Sequence, residues 1–150
     1  MLTLSKKILV AIDGSPQSDK AAEEAVRLAA QSGSKLRSHV FAVLVLPSLK
    51  PPSFTDFFPS KPPTEEVGWE EKRERLFYVV EKSANDAGVT VESLVVYGDP
   101  AEELIHFARE KGCDVIVIGS SGKGKVKRTL LGSVSTKVAL QAQCSVYIVR

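Results

Sequence analysis

The chain has 150 residues and a formal net charge of +2, with 43% hydrophobic and 25% charged residues. This length fits one domain with a buried core, and the composition is that of a globular protein. So small a charge argues against a nucleic acid or a membrane surface as the main partner. No apolar run approaches bilayer length and the first residues carry no signal-peptide pattern, so cytoplasmic residence is the expectation.

Lys7 to Asp13 (KILVAID) is a continuous apolar run that stops at Asp-Gly-Ser, the pattern of a parallel strand buried on both faces. Ser15 can cap a following helix, Pro16 suits its first turn and Asp19 complements its dipole. Ala22, Ala25, Val26 and Ala29 recur at helical spacing, with Gly33 as a stop. A second strand follows within 36–46, centred on His39 to Val45. Residues 47–68 hold Pro47, Pro51, Pro52, Pro59, Pro62 and Pro63, too many for a helix or an inner strand, and read as a surface insert within one domain spanning 1–150. Phe54, Phe57 and Phe58 within it are expected to fold back on the body or meet a partner.

Glu65 to Ala87 reads as a helix with Leu76, Val79, Val80 and Ser83 on its inner face and Gly88 at its end. Val89 to Tyr97 is a third strand. Asp99-Pro100-Ala101-Glu102 is a capping box that opens a helix with Leu104, Ile105 and Ala108 inward and Gly112 as its stop. A fourth strand spans 114–118, a glycine-rich basic segment 119–131, a last helix 132–141, and a fifth strand Ser145 to Val149. Strands alternating with helices in this way call for an α/β fold: an open parallel five-stranded sheet with helices on both faces, Rossmann-like. With strand order 3-2-1-4-5, ligands bind where the order reverses, between the ends of strands 1 and 4. Asp13 ends the first and Gly119 follows the second.

The segment from Gly119 to Ser133 reads GSSGKGKVKRTLLGS. Gly119 and Gly122 permit a tight turn whose amides point at an anion, and Gly132-Ser133 opens a helix whose free N–H groups favour phosphate. Ser120, Ser121, Ser133 and Ser135 add hydroxyls. Lys123 and Lys125, with Lys127 and Arg128, add positive charge. The plain alternative is a solvated flexible loop, which the placement at the switch point disfavours. A P-loop is a second alternative, since Gly119, Gly124 and Lys125 match G-x-x-x-x-G-K, but Val126 stands where Ser or Thr must hold magnesium.

Over nearly its whole length the chain resembles the universal stress proteins, from Lys7-Ile-Leu-Val-Ala-Ile-Asp13 to Val146-Tyr-Ile-Val-Arg150. Gly119, Gly122, Gly132 and Ser133 match the G-x2-G-x9-G-[S/T] motif of the ATP-binding branch at every fixed position. Gly98-Asp-Pro-Ala-Glu-Glu, Cys113-Asp-Val-Ile-Val-Ile-Gly119 and Leu131-Gly-Ser-Val-Ser add to the match. The resemblance implies a fold of the adenine nucleotide α-hydrolase type and a site for ATP, with or without Mg2+. It places Asp13 near ribose and adenine, the glycine motif with Ser133, Val134 and Ser135 on the phosphates, and the backbone near Val43 on the adenine. It also implies a homodimer through the last strand, Val146–Val149, which is apolar on both faces and ends the sheet. Ser145 departs from the family's usual proline and is expected to leave a further N–H free for that pairing.

Other constellations are weaker. Asp13 also suits an Asx-turn into the first helix. His39 and His106 have no ligand cluster beside them in sequence, and Cys113 and Cys144 show neither metal nor redox spacing, so no metal site is expected. No nucleophile has a recognisable base, and the third strand lacks the phosphoacceptor aspartate of a response regulator. Three functions remain open: a nucleotide-dependent sensor or switch acting on an unknown partner in a stress response, a slow ATPase or adenylate-transferring enzyme using the same pocket, and an interaction module with the pocket empty.

Overall fold

The computed structural model describes residues 6–31, 38–47, 68–120 and 131–150. The elements are β1 (Lys7–Ile12), α1 (Pro16–Ala30), β2 (His39–Leu46), α2 (Trp69–Ala87), β3 (Thr90–Tyr97), α3 (Pro100–Lys111), β4 (Val115–Gly119), α4 (Ser133–Gln141) and β5 (Ser145–Val149). The strands form one parallel sheet in the order β3-β2-β1-β4-β5, which is the order expected from the sequence. Nearly all of the insert at 47–68, including its phenylalanines, lies outside the described residues, as do Gly33 and residues 121–130 with Gly122, Lys123 and Lys125.

The unbroken apolar runs of the central strands follow from a core on each side. Ile8, Val10 and Ile12 of β1, with Val40, Ala42 and Leu44 of β2, pack against α1 and α2. Leu9, Phe41 and Val43 point the other way, onto α3 and α4 together with Ile116 and Ile118. Successive side chains of a strand alternate between faces, so only a strand covered on both sides can be apolar at every position.

Helix boundaries follow local chemistry. Ser15 caps α1 by accepting from Ser18 N–H, and Asp99 caps α3 by accepting from Glu102 N–H at 3.1 Å. Both helices carry proline in the first turn, where no N–H is needed. Gly88 and Gly112 end α2 and α3 in the left-handed conformation. α1 already ends at Ala30, with Gln31 as its C-cap.

Two helix faces differ from expectation. In α2 the buried residues are Trp69, Phe77, Val80 and Ala84, while Leu76, Val79 and Ser83 are only partly buried. The helix packs against α1 as well as the sheet, and the apolar stripe is broad enough to serve both. The deepest line therefore runs through Phe77 rather than Leu76. In α3 the buried line is Ala101, Leu104 and Ala108, with Ile105 at its flank.

Phe77 is fully buried, whereas the adjacent Tyr78 is 58% exposed. Phe77→Ala is expected to cost about 3–5 kcal/mol in urea unfolding, and Tyr78→Ala no more than about 0.5 kcal/mol. Equal losses at the two positions would contradict this orientation of α2.

Candidate functional site

At the end of β1 the chain turns through Asp13-Gly14-Ser15 into α1. Gly14 has φ 81°, a left-handed conformation that glycine adopts without strain. An Asp13 carboxylate oxygen (Oδ1) accepts from Ser15 N–H at 2.8 Å, and Asp13 N–H donates to Ser18 Oγ at 3.1 Å. Ser18 N–H donates to Ser15 Oγ at 3.1 Å, and Ser18 Oγ reaches the Ala11 carbonyl at 3.4 Å. The Asx-turn expected of Asp13 is therefore present. It holds the half-buried carboxylate in one orientation at the rim of the sheet. Asp19, one turn along α1, has its carboxyl pushed above its usual range by burial and then by the nearby charge of Asp13.

The end of β4 lies against this turn. A Cβ on Gly119 would come within 2.8 Å of Gln17 Cβ and 3.0 Å of the Gln17 carbonyl carbon, so glycine is required for β4 to approach the first turn of α1. Ser120 N–H then donates to the Val149 carbonyl at 2.8 Å, and Gly132 N–H donates to the Ser120 carbonyl at 2.7 Å. These bonds draw the two ends of the glycine-rich segment together.

Gly132 is the N-cap of α4, and among the described residues no side chain caps that end. The first turn of α4 contains no acidic residue. The Thr136 N–H is bonded to the Gly132 carbonyl at 2.9 Å, so the N–H groups of Ser133, Val134 and Ser135 precede the first bond of the helical ladder. Free N–H groups with the positive end of a helix dipole behind them form an anion site. Ser133 is exposed and Val134 half-buried. Ser135 is 2% exposed, and its hydroxyl lies 3.1 Å from the Ser120 carbonyl and 3.0 Å from that of Gly132. Its hydroxyl thus braces the neck of the loop, while its backbone N–H lies in the first turn of α4.

Lys137, one turn further along α4, lies 3.2 Å from Glu102 and 3.5 Å from Asp99. The hydrogen bond to Glu102, followed by the charge of Asp99, raises the Lys137 ammonium above its usual range. The Glu102 N–H is the main cause holding the Asp99 carboxyl low, with Lys137 adding to it. This pairing fastens the body of α4 to the start of α3.

Val43 sits below the rim. It is fully buried and pairs with Ala11 on one side and Leu94 on the other. The last β1–β2 pair is Ile12 with Leu44, so β2 continues past β1 at Val45 and Leu46. His39 N–H bonds to Lys6, which turns the peptide groups of alternate residues from His39 to Val45 toward β1. The Leu46 carbonyl instead accepts from Gly98 N–H, toward β3. Val45 therefore presents its peptide edge above the end of β1. Its register became visible only with the strand pairing, and the contact of Gln17 with Gly119 has no signal in the sequence.

Gly119→Ala is expected to destabilise the fold by about 1–3 kcal/mol through overpacking, read by chemical denaturation. Unchanged stability would contradict the close approach of β4 to α1.

A model of the universal stress protein family matches residues 5–150. The Bacillus subtilis universal stress protein YxiE is 39% identical, over 96% of this chain and 98% of its own. The solved structure of MJ0577, a universal stress protein of Methanocaldococcus jannaschii, superposes with a TM-score of 0.77 at 26% identity, over 97% of this chain and 96% of that one. A solved universal stress protein in complex with cAMP superposes with a TM-score of 0.68 at 23% identity, over 97% of each chain.

Proposed function

The chain belongs to the universal stress protein family, and on that premise we propose that it binds ATP between β1 and β4 and acts as a nucleotide-dependent switch. The observation that carries this reading is the N-terminus of α4. It is uncapped, free of acidic side chains and placed where the strand order reverses. Solved universal stress proteins of this fold hold cAMP, dAMP or AMP, which supports an adenine nucleotide as the ligand class.

In this reading the N–H groups of Ser133, Val134 and Ser135 take the terminal phosphates, with the Gly119 and Gly122 backbone beside them. Lys123 and Lys125 supply further charge for a triphosphate, alone or with Mg2+. Asp13, fixed by its turn, faces the ribose hydroxyls with the carboxylate oxygen that Ser15 does not engage. The Val45 carbonyl rather than Val43 accepts from the exocyclic amine of adenine. Occupancy then changes the affinity for an unknown partner through the surface around the glycine-rich segment. Gly132→Val would set a branched side chain against the phosphates while keeping a permitted backbone, since Gly132 has φ −64°. Titration calorimetry is expected to show ATP affinity reduced by at least about tenfold, or about 1.4 kcal/mol. Undiminished affinity in the folded variant would falsify this placement.

We further propose a homodimer through β5. This strand ends the sheet and offers unpaired peptide groups to a second copy. Ser120 N–H bonds to the Val149 carbonyl, so Val149, Tyr147 and Ser145 turn their peptide groups toward β4. Val146 and Ile148 turn theirs outward. The N–H of Ser145 therefore faces the sheet, and the expectation that it adds to the dimer edge does not hold. Val146→Pro removes an outward N–H at a position where an edge strand tolerates proline. Light scattering should give a dimer mass for the wild type and a monomer for the variant. A monomeric wild type at micromolar concentration would end this proposal.

A further inference from the structure

At the opposite end of the sheet from the crevice, a cavity of about 210 Å³ opens between the C-terminal ends of α3 and α4 and the starts of β4 and β5. Ala108, Ile116 and Ala142 contribute to its apolar wall, and Arg109 brings a cation to it. The chain has two cysteines, and both line this cavity. Cys113 is buried, Cys144 is half-buried, and both thiols are free.

We propose that Cys113 and Cys144 form a reversible intramolecular disulfide, made by a low-molecular-weight disulfide that enters this cavity. The register places the two cysteines at neighbouring levels of the sheet. Val115 pairs with Ser145, so Cys144 lies level with Asp114, one residue on from Cys113. The chain bends at Asp114 and at residues 143–144, just before the two strands, and this brings Cys113 and Cys144 onto one wall of the cavity, near enough for Cys144 to act electrostatically on Cys113. Both side chains belong to the same packed cluster on the α3–α4 face, so neither must cross the sheet to meet the other.

The exchange balances without any further reagent. The Cys144 thiolate attacks one sulfur of the small disulfide, forming a mixed disulfide and releasing one thiolate. The Cys113 thiolate then attacks Cys144 Sγ, closing the protein disulfide and expelling the second thiolate. The two protons lost by the protein thiols pass through solvent to the two thiolates released. The protein loses two electrons and the small disulfide gains them. Cys144 opens the sequence because it is the more accessible thiol. Burial, then the neighbouring Cys144, pushes the Cys113 thiol up to about 11. Burial also raises Cys144, so the exchange is slow and answers sustained oxidation rather than a brief pulse. Arg109 complements the carboxylates that small biological disulfides carry. The bond closes a loop containing β4, the glycine-rich segment and α4, whichever ligand the crevice binds.

The test incubates the full chain with oxidised glutathione, alkylates the remaining thiols after denaturation, and maps non-reduced peptides by mass. The expected product is a species of single-chain mass with no alkylated cysteine and the Cys113 and Cys144 peptides joined. Cys113→Ser should accumulate a glutathione adduct on Cys144, whereas in Cys144→Ser the buried Cys113 should react at least about tenfold more slowly. The wild-type peptide map needs no variant, so a poorly folding variant does not blunt the test. Two alkylatable thiols after prolonged oxidation, or a link joining two chains, would overturn the proposal. Equal reaction of the two serine variants would overturn the assigned order of attack.

Discussion

The crevice exists because β1 is covered on both faces and paired on both edges. Ile8, Leu9 and Val10 are fully buried, and the strand is hydrogen-bonded to β2 on one side and β4 on the other. α1 and α2 pack on one face of it while α3 and α4 pack on the other. Right-handed crossovers carry the chain outward from β1 to β3 across one face and then back to β4 and β5 across the other. The connections leaving β1 and β4 therefore diverge to opposite faces, and a gap opens between their ends.

Two helix N-termini border that gap, and their chemistry differs. At α1 the chain itself engages the N–H groups of Ser15 and Ser18, through Asp13 Oδ1 and Ser15 Oγ. Those of α4 have no side-chain cap among the described residues. Self-capping makes the β1 side a rigid wall that presents a fixed carboxylate, whereas the α4 side keeps donors available for an anion. Rigidity on that side comes from elsewhere: the Ser120–Gly132 bond, the buried Ser135 hydroxyl, and the pairing of Lys137 with Glu102 and Asp99. None of the three uses the N–H groups of Ser133, Val134 or Ser135, so they hold α4 in place without occupying those donors.

Much of this was legible in the sequence for a physical reason. Apolar runs marked strands covered on both faces, and Ser15, Asp99 and Gly112 marked helix ends because caps require those residue types. Asp13 and Gly119 lie at the ends of adjacent strands because strand order alone sets β1 beside β4. What remained illegible depended on contacts between distant segments. Nothing local distinguishes Phe77 from Leu76 as the deepest residue of α2 until α1 packs beside it. The displacement of the rim from Val43 to Val45 follows from pairing register, which an even run of valines and leucines conceals. Ser135 looked like a ligand group because its type suits phosphate, yet its hydroxyl closes the loop neck. The two cysteines are far apart in sequence, and only the β4–β5 register brings them to one cavity.

The central claim is that the α4 terminus and the β1 turn together hold ATP. The most direct measurement is the nucleotide released by acid from freshly purified protein, identified by mass, with calorimetric titration of the stripped protein by ATP, ADP, AMP and cAMP. Recovered ATP or ADP and tightest binding for ATP are expected, because the unclaimed donors and the basic segment favour added phosphates. Protein that carries no nucleotide and shows no heat with any of the four would contradict it.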